Sequence, residues 1–206
     1  MVYDLSDLGP WYCIKLFIKK ERRISVSKLK NLIYRLRGEV STEVLVSQGM
    51  KVGKNFERMN NVLIDDSHAW LIEIGDDVTL APRVHILAHD ASTKKHLGYT
   101  KIGCVTIGNN VFIGAESVVL PGVNIGDNAI IGANSTVTHD VPSGYVVVGS
   151  PACVICTTEE YLQKQKERML SLPVYGEEYT MRKSITSEMK QKQRDEVKKS
   201  GGGFVK

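Results

Sequence analysis

The chain has 206 residues, of which 42% are hydrophobic and 24% charged, and its formal net charge is +4. This balance is typical of a folded protein with a sizeable core and excludes a mainly disordered chain. The basic excess lies in residues 1–38 and 159–206, whereas residues 39–158 are net acidic. The central part therefore lacks the basic surface of a nucleic-acid-binding protein, and no nucleic-acid partner is expected.

Residues 1–48 are predicted to be a basic, partly helical N-terminal segment. Its apolar stretch WYCIKLFI is too short to cross a bilayer, which takes ~20 residues, and no secretory signal is recognised. Leu29, Leu32, Ile33 and Leu36 recur at helical spacing between basic residues, which predicts an amphipathic helix. This helix either packs on the body or makes weak contact with an anionic membrane. We expect a cytoplasmic protein, with membrane-peripheral attachment as the alternative.

A six-residue repeat dominates the middle of the chain. From residue 107 it runs without a gap as IGNNVF, IGAESV, VLPGVN, IGDNAI, IGANST and VTHDVP. Three earlier hexapeptides begin at Ile74, Leu80 and Ile86, and weaker ones at Val52 and Ile64. A period of six does not match the 3.6-residue helix, but it fits short extended runs separated by turns. The aliphatic first residues would point inward and stack from coil to coil, although this places Arg58 at an inward position.

Two interruptions break the repeat. From Ile86 to Ile107 there are twenty-one residues instead of six, so a loop leaves the coil at His89 and returns near residue 103. From Ile64 to Ile74 there are ten, which leaves four extra residues near the letters SHAW. Such loops are either tolerated surface insertions or the parts of a rigid scaffold that carry function.

The C-terminal segment, residues 157–206, is predicted to be helical and partly disordered. Thr157 or Thr158 is a suitable N-cap for a helix over TTEEYLQKQKERMLSL, with acidic residues first and basic residues later. This helix is expected to cap the coil. The polar stretch after it, KSITSEMKQKQRDEVKKSGGGFVK, favours partial disorder.

The four cysteines are expected to be ordinary thiols, because the chain carries no sign of an oxidising compartment. They are Cys13, Cys104, Cys153 and Cys156. The last two form a C-x-x-C without a second pair or suitably spaced histidines, which is a weak metal signal.

The segments IGDDVTLAPRVHILAHD, IGNNVFIGAESVVLPGVNIGDNAIIGANSTVT and VVVGSPA, in this order, resemble the hexapeptide-repeat acyltransferases. The resemblance is to the maltose and galactoside O-acetyltransferases and to those of polysaccharide biosynthesis. It implies an all-β fold, a left-handed parallel β-helix over residues 49–156 with a loop at about 89–103 and helical flanking segments. It also implies a homotrimer with active sites between subunits, acetyl-CoA as co-substrate and a saccharide hydroxyl as acceptor.

The resemblance assigns His89 the part of the catalytic base, although the sugar enzymes usually have Gly-His-Pro where this chain has Ala88-His89-Asp90. An imidazole is substantially neutral at cellular pH and can take a proton from a hydroxyl. Asp90 or a backbone carbonyl would orient the ring. The backbone N–H of Ala115 would stabilise the oxyanion, and the acetyl group would pass directly to the acceptor in a ternary complex.

The remaining site residues are also implied by resemblance alone. Acetyl-CoA would touch Gly114, Ala115, Ala133, Thr138 and His139. Asp66 and Arg58 would bind the acceptor. Cys153 and Cys156 stand where relatives often carry arginines for the CoA phosphates, so two cations of that site are missing from this chain.

Two other functional hypotheses remain open. His85, His89 and His96 could hold zinc between subunits, as in β-helices that hydrate carbon dioxide, since a catalytic zinc site needs three ligands. We expect no metal, because His85 should face outward between inward Val84 and Ile86, far from the others along the strand. A non-catalytic β-helix scaffold is the third hypothesis. His68 is expected to be a surface residue.

Overall fold

The computed structural model describes residues 39–206, so the amphipathic helix predicted from Leu29 to Leu36 and Cys13 lie outside the described residues. The described chain begins with helix α1 (Thr42–Ser47), whose first turn is capped by the Ser41 side chain. Leu45 on this helix is fully buried and belongs to the main core, so α1 closes one end of the coil.

Three sheets of very short parallel strands then wrap around that core. Sheet A contains β1 (Lys51–Val52), β4 (Ile72–Ile74), β9 (Val105–Ile107) and β12 (Asn124–Ile125). The parallel strands of sheet B are β2 (Glu57–Arg58), β5 (Thr79–Leu80), β10 (Phe112–Ile113), β13 (Ile130–Ile131) and β15 (Tyr145–Val148), and a sixth strand joins this sheet antiparallel. Sheet C contains β3 (Leu63–Ile64), β6 (His85–Ile86), β11 (Val118–Val119) and β14 (Thr136–Val137). The chain visits sheets A, B and C in turn, so each circuit is one three-sided coil.

The strand register agrees with the register counted from the sequence. In sheet A, Val52 pairs with Ile74, Ile74 with Ile107, and Ile107 with Ile125. Partners in uninterrupted coils are 18 residues apart, as in the pairing of Asn109 with Asp127, whereas those that span the two interruptions are 22 and 33 apart. The four and fifteen extra residues therefore leave the coil without shifting its register.

Eight turns between faces place a non-glycine residue in the left-handed backbone conformation at the fourth position of the hexapeptide. Asn55, Asn61, Asp77, Arg83, Asn110, Glu116, Asn128 and Asn134 all have φ between 53° and 63°. Asparagine and aspartate tolerate this conformation, and they also bond to the next coil. The Asn110 side chain, for example, donates to Asn128 Oδ1 at 2.8 Å. Arg83 and Glu116 are the unusual residues in this series, and their side chains form an ion pair.

Arg58 occupies the inward position that the register predicted. Its strand partner is Leu80, and its side chain is only 4% exposed. The guanidinium donates to the backbone oxygens of Val40 and Val62 at 2.7 and 2.5 Å and lies 3.8 Å from the Glu39 carboxylate. A buried guanidinium at the end of a stacked core thus provides donors for the chain that closes the coil.

The C-terminal end is more ordered than the sequence predicted. After β15 the chain reverses into β16 (Cys153–Thr157), and helix α3 (Thr158–Met169) follows with Thr157 as its N-cap. The region expected to be partly disordered forms helix α4 (Ser187–Ser200), capped by Thr186. Strands β17 (Val174–Tyr175) and β18 (Phe204–Val205) pair across it. Local capping and strand pairing therefore stabilise a segment whose composition alone favours disorder.

Among residues 39–206, no helix has both the length and the apolar character needed to cross a membrane. The three cysteines in this part of the chain, Cys104, Cys153 and Cys156, are free thiols, as expected.

Candidate active site

Both interruptions of the coil leave it at the same corner, where the chain passes from sheet C to sheet A. We call it the C–A corner. The first insertion lies between β3 and β4, and the second between β6 and β9. Since β3 pairs with β6 and β4 with β9, the two insertions are neighbours on successive coils. The corner of this coil pair is therefore the most elaborated part of the described β-helix.

His89 lies at the base of the longer insertion. It begins strand β7 (His89–Asp90), which pairs antiparallel with β8 (Lys101–Ile102) and forms the neck of the loop. The tip of the loop contains a 3-10 turn, Ala91–Thr93, and the short helix α2 (Lys94–Leu97). The neck is fixed to the coil by a hydrogen bond from Gly103 N to Ala88 O at 3.0 Å. The side chain of His89 is 34% exposed, so a substrate can reach the ring.

Asp90 does not orient His89, contrary to the prediction. Its carboxylate pairs with Lys101 Nζ at 2.6 Å and accepts from Ser92 N at 2.8 Å. The hydrogen bond from Lys101, followed by those from Ser92, lowers the pKa of Asp90 to about 2. Asp90 therefore stabilises the neck of the loop, because its side chain alternates away from that of its neighbour along the strand.

Asp65 is the residue that holds His89. Its Oδ2 lies 2.5 Å from His89 Nδ1 and also accepts from Ala88 N at 3.0 Å. Its Oδ1 accepts from Ser67 N at 3.0 Å and from His68 N at 3.3 Å. Only 1% of the carboxylate side chain is exposed. One buried carboxylate thus joins the two insertions of the C–A corner.

The ionised form of Asp65 is favoured by these contacts. Burial raises the pKa of the carboxyl, but the hydrogen bonds from His89, Ala88 and Ser67 outweigh it and hold the pKa below its ordinary value. An ionised carboxylate only accepts hydrogen bonds, so the proton between the two side chains belongs to His89 Nδ1. Nε2 is then the ring nitrogen that can accept a proton from a substrate.

His68 was expected to be an ordinary surface residue, but it is part of the site. Its ring centroid lies 5.2 Å from that of His89 and 5.3 Å from that of Trp70, with tilted planes in both pairs. Its Nδ1 is buried and bonds to no group among the described residues. His68 therefore packs against the face of the ring that Asp65 orients.

Asp65, His68 and His89 form the group of potential metal ligands that the described residues bring together, with ligand atoms within 4.8 Å of one another. His85 and His96, which the alternative zinc hypothesis named beside His89, are not part of it. Both oxygens of Asp65 already accept two hydrogen bonds each. A metal ion would have to displace the contact that orients His89, so this donor set favours a hydrogen-bonded pair over a cation site.

The two predicted acceptor-binding residues, Asp66 and Arg58, line one cleft of about 290 Å³. Asp66 is exposed there, and His85 contributes to the same wall. The guanidinium of Arg58 is largely committed to backbone oxygens, as described above. Of the two aspartates in the IDD sequence, the second therefore faces the cleft while the first turns inward to His89.

The residues predicted to touch acetyl-CoA fall at two different corners of the coil. Gly114 and Ala133 stack at the corner between sheets B and C, where a Cβ on Gly114 would lie 2.5 Å from Ala133 N. Ala115 is at the same corner, with Ala115 O accepting from Asn134 N. Thr138 and His139 follow β14, at the C–A corner on the His89 side. One side of the coil separates the two sets, about six residues or roughly 20 Å.

Sequence reasoning missed Asp65 and His68. The usable signal was the register, since Ile64 pairs with Ile86 and places Asp65 one coil before the residues that lead to His89. The four-residue insertion hid this proximity. Burial of a carboxylate between two insertions cannot be read from spacing alone.

Comparisons with known proteins agree with this architecture. A family model described as "Bacterial transferase hexapeptide (six repeats)" matches residues 104–139. Protein CapG of Staphylococcus aureus is 38% identical over 159 residues, which are 73% of this chain and 81% of CapG. A solved maltose O-acetyltransferase from Clostridium difficile 630 is 32% identical with a TM-score of 0.51, covering 71% of this chain and 84% of that one.

A solved galactoside acetyltransferase in complex with coenzyme A is 36% identical with a TM-score of 0.50, and the match covers 56% of this chain and 58% of that one. These likenesses confirm the predicted fold class, a left-handed parallel β-helix with helical flanking segments, and the predicted co-substrate. The six-residue register and the shared architecture agree, and the chain belongs to the hexapeptide-repeat acetyltransferases, as an acetyl-CoA-dependent acyltransferase.

Proposed function

We propose that this protein transfers the acetyl group of acetyl-CoA to a hydroxyl of a carbohydrate, with His89 as the general base. The observation that carries the proposal is the Asp65–His89 contact of 2.5 Å at the base of the loop. It fixes the tautomer with hydrogen on Nδ1, which leaves Nε2 available in a ring that substrate can reach. The galactoside and maltose acetyltransferases that resemble this chain support a saccharide acceptor.

The reaction proceeds by direct transfer. His89 Nε2 removes the proton as the acceptor oxygen attacks the thioester carbonyl, and the ionised Asp65 stabilises the imidazolium that forms. A backbone N–H, that of Ala115, stabilises the tetrahedral oxyanion. The intermediate then expels the CoA sulfur, which takes the proton back from His89, so the products are an acetyl ester and free CoA.

The active site is completed between two subunits of a homotrimer. A reacting carbonyl must lie about 3 Å from both the nucleophile and the oxyanion donor. Ala115 and His89 lie at different corners of the same β-helix, on successive coils and separated by roughly 20 Å of sheet C. Packing the C–A corner of one subunit against the B–C corner of the next would bring them together, with acetyl-CoA in the groove between the two coils.

The acceptor binds along the cleft that Asp66 lines. A carboxylate accepts hydrogen bonds from sugar hydroxyls, and Asp66 is exposed in a cleft adjoining the strand that leads to Asp65. Arg58 shapes the floor of this cleft through its backbone contacts. The cleft therefore approaches the Asp65–His89 pair from the N-terminal end of the coil.

The test is release of CoA thiol when the purified full chain is given acetyl-CoA with a panel of mono- and oligosaccharides. We expect the product to be an alkali-labile acetyl ester, and His89→Ala to lower kcat/KM by about 10²–10⁴-fold. His96→Ala, which changes an exposed histidine at the tip of the loop, is the matched control. A rate for His89→Ala within a few-fold of wild type would overturn the assignment of the base.

Subunit complementation tests the shared site. Ala133→Trp should obstruct the groove at the B–C corner, where Ala133 is exposed, and His89→Ala removes the base at the C–A corner. Each variant alone should be nearly inactive. Mixed trimers formed by refolding the two together should recover activity, because some of their sites contain neither change. No recovery in trimers shown to be mixed would place both residues in one subunit's site.

A further inference from the structure

The shorter insertion displays an exposed tryptophan next to the catalytic pair. Residues 65–71 turn through a 3-10 helix, Ala69–Leu71, in which Ala69 is fully buried and Trp70 is 56% exposed. Gly49 fixes the backbone from the other side, since a Cβ there would lie 2.9 Å from Trp70 Cβ. The indole is therefore held outward by a rigid element, although exposure of so large an apolar side chain is unfavourable in water.

The same carboxylate that orients His89 also positions this insertion. Asp65 Oδ1 accepts from the backbone of Ser67 and His68, while Oδ2 holds His89. The rings of Trp70, His68 and His89 then follow one another at 5.3 and 5.2 Å. Trp70 is thus fixed in position relative to the reacting nitrogen, at a distance on the scale of one or two sugar rings.

We propose that Trp70 is a saccharide subsite, and that the natural acceptor is an oligo- or polysaccharide instead of a monosaccharide. The sugar unit beside the one that is acetylated packs the apolar C–H face of its ring on the indole. Aromatic side chains combine large apolar area with a polar edge, which suits a ligand that has apolar faces and hydroxyl rims. This inference rests on the proposed carbohydrate acceptor and specifies its length.

Three other strongly exposed apolar side chains do not have this placement. Leu97 and Tyr99 are 68% and 78% exposed, but they lie at the tip of the longer loop. Leu170 is 90% exposed just after α3, on the C-terminal segment. Only Trp70, among these, is connected to His89 by packed rings and a shared carboxylate, so it is the one whose contact with ligand would affect the reacting hydroxyl.

Kinetics with matched acceptor series test the subsite. The probes are glucose, maltose and maltotetraose, and N-acetylglucosamine with its chitin dimer and trimer. We expect KM to fall by about tenfold from monosaccharide to oligosaccharide in one series, which corresponds to one aromatic stacking contact. Trp70→Ala should remove that difference, and Trp70→Tyr should restore most of it. Leu170→Ala, another exposed apolar residue, is the control and should keep the wild-type ratio.

A fluorescence measurement separates this inference from the proposed function. The chain has two tryptophans, so Trp11→Phe leaves Trp70 as the sole reporter. In the Trp11→Phe, His89→Ala protein we expect oligosaccharide, but not monosaccharide, to shift or quench the indole emission. If wild type acetylates no saccharide while the emission still responds, the proposed function fails and the subsite stands. If saccharides are acetylated but neither KM ratio nor emission depends on Trp70, the subsite is overturned. Emission that responds only to protein concentration would also overturn it, because a second copy would then cover the ring.

Discussion

Replacing Asp65 by asparagine turns one oxygen of the Asp65–His89 pair into an NH2 group and leaves the size of the side chain unchanged. The native carboxylate accepts from four donors, two on each oxygen. An amide has one accepting oxygen and one donating nitrogen, so it must face its NH2 toward one pair of donors. Toward Ser67 and His68 it would meet two backbone N–H groups. Toward Ala88 and His89 the NH2 group would meet only one N–H donor, that of Ala88, because the imidazole can carry its proton on Nε2 instead of Nδ1.

The second orientation is therefore favoured, and it disables the proposed base. His89 Nδ1 then accepts from the amide, and Nε2 carries the hydrogen and cannot receive the acceptor proton. Loss of general base catalysis lowers kcat by about 10²–10⁴-fold, or roughly 3–5 kcal/mol of transition-state stabilisation. The unpaired Ala88 N–H, which is buried beside it, costs about 1–3 kcal/mol of folding free energy.

The assay measures kcat and KM by CoA release, together with the free energy of unfolding in urea. We expect kcat to fall by at least a hundredfold in Asp65→Asn, with a moderate loss of stability and a folded protein by circular dichroism. Asp90→Asn makes the same chemical change in the neighbouring strand and should keep kcat within about threefold, since Asp90 pairs with Lys101 on the loop. If Asp65→Asn retained a kcat like that of Asp90→Asn, the tautomer argument would be refuted.

Three further predictions concern stability. Arg58→Met should lower the free energy of unfolding by about 3–5 kcal/mol, because it leaves the Glu39 carboxylate buried without its cation; an unchanged urea midpoint would contradict this. Gly126→Ala should lower the free energy of unfolding by about 1–3 kcal/mol, because its Cβ would meet Ser143 N at 2.5 Å. Gly122→Asn, at a positive φ in open space, should lower it less, and thermal melts of the two variants measure the difference. Because the pKa of Asp65 is lowered in the folded protein, its stabilising effect is present above the unfolded pKa of ~3.9 and is lost as pH falls through the folded value. The stability difference between wild type and Asp65→Asn should therefore shrink in acid unfolding below about pH 4, and a constant difference would argue against an ionised Asp65.

The sequence predicted the coil well because the repeat is a local pattern with a strict period. Ile74, Ile86 and Ile107 each begin a hexapeptide, and each is an inward residue of the sheet that the count assigns to it. Even the unexpected inward position of Arg58 followed from the count. A register depends only on which residues repeat, and the physical cost of slipping by one position is to expose the whole apolar row.

The site was less accessible to prediction because it depends on contacts between two insertions, where no period operates. Asp90 was the expected partner of His89 by adjacency in sequence, but neighbouring residues on a strand point to opposite sides. Asp65, 24 positions earlier, is the actual partner. The order of the C-terminal segment was missed for a related reason, since the pairing of Val174 with Phe204 is a long-range contact that composition does not report.

The two insertions occupy the same corner on successive coils. The proposed groove for the acetyl donor and the proposed site for the acceptor are therefore built from different parts of the coil. The repeated corners supply a regular groove, in which backbone groups such as Ala115 N–H recur with each coil, and this suits a constant donor such as acetyl-CoA. The interrupted corner contains the irregular elements, namely the proposed base, the carboxylate that orients it and an exposed indole. Because the insertions leave the strand register intact, their sequences can vary without loss of the core. The identity of the acceptor should therefore be determined by residues 65–71 and 87–104. Exchange of both segments together should transfer acceptor preference between related chains. Exchange of one segment alone should not, because Asp65 in the first segment holds His89 in the second.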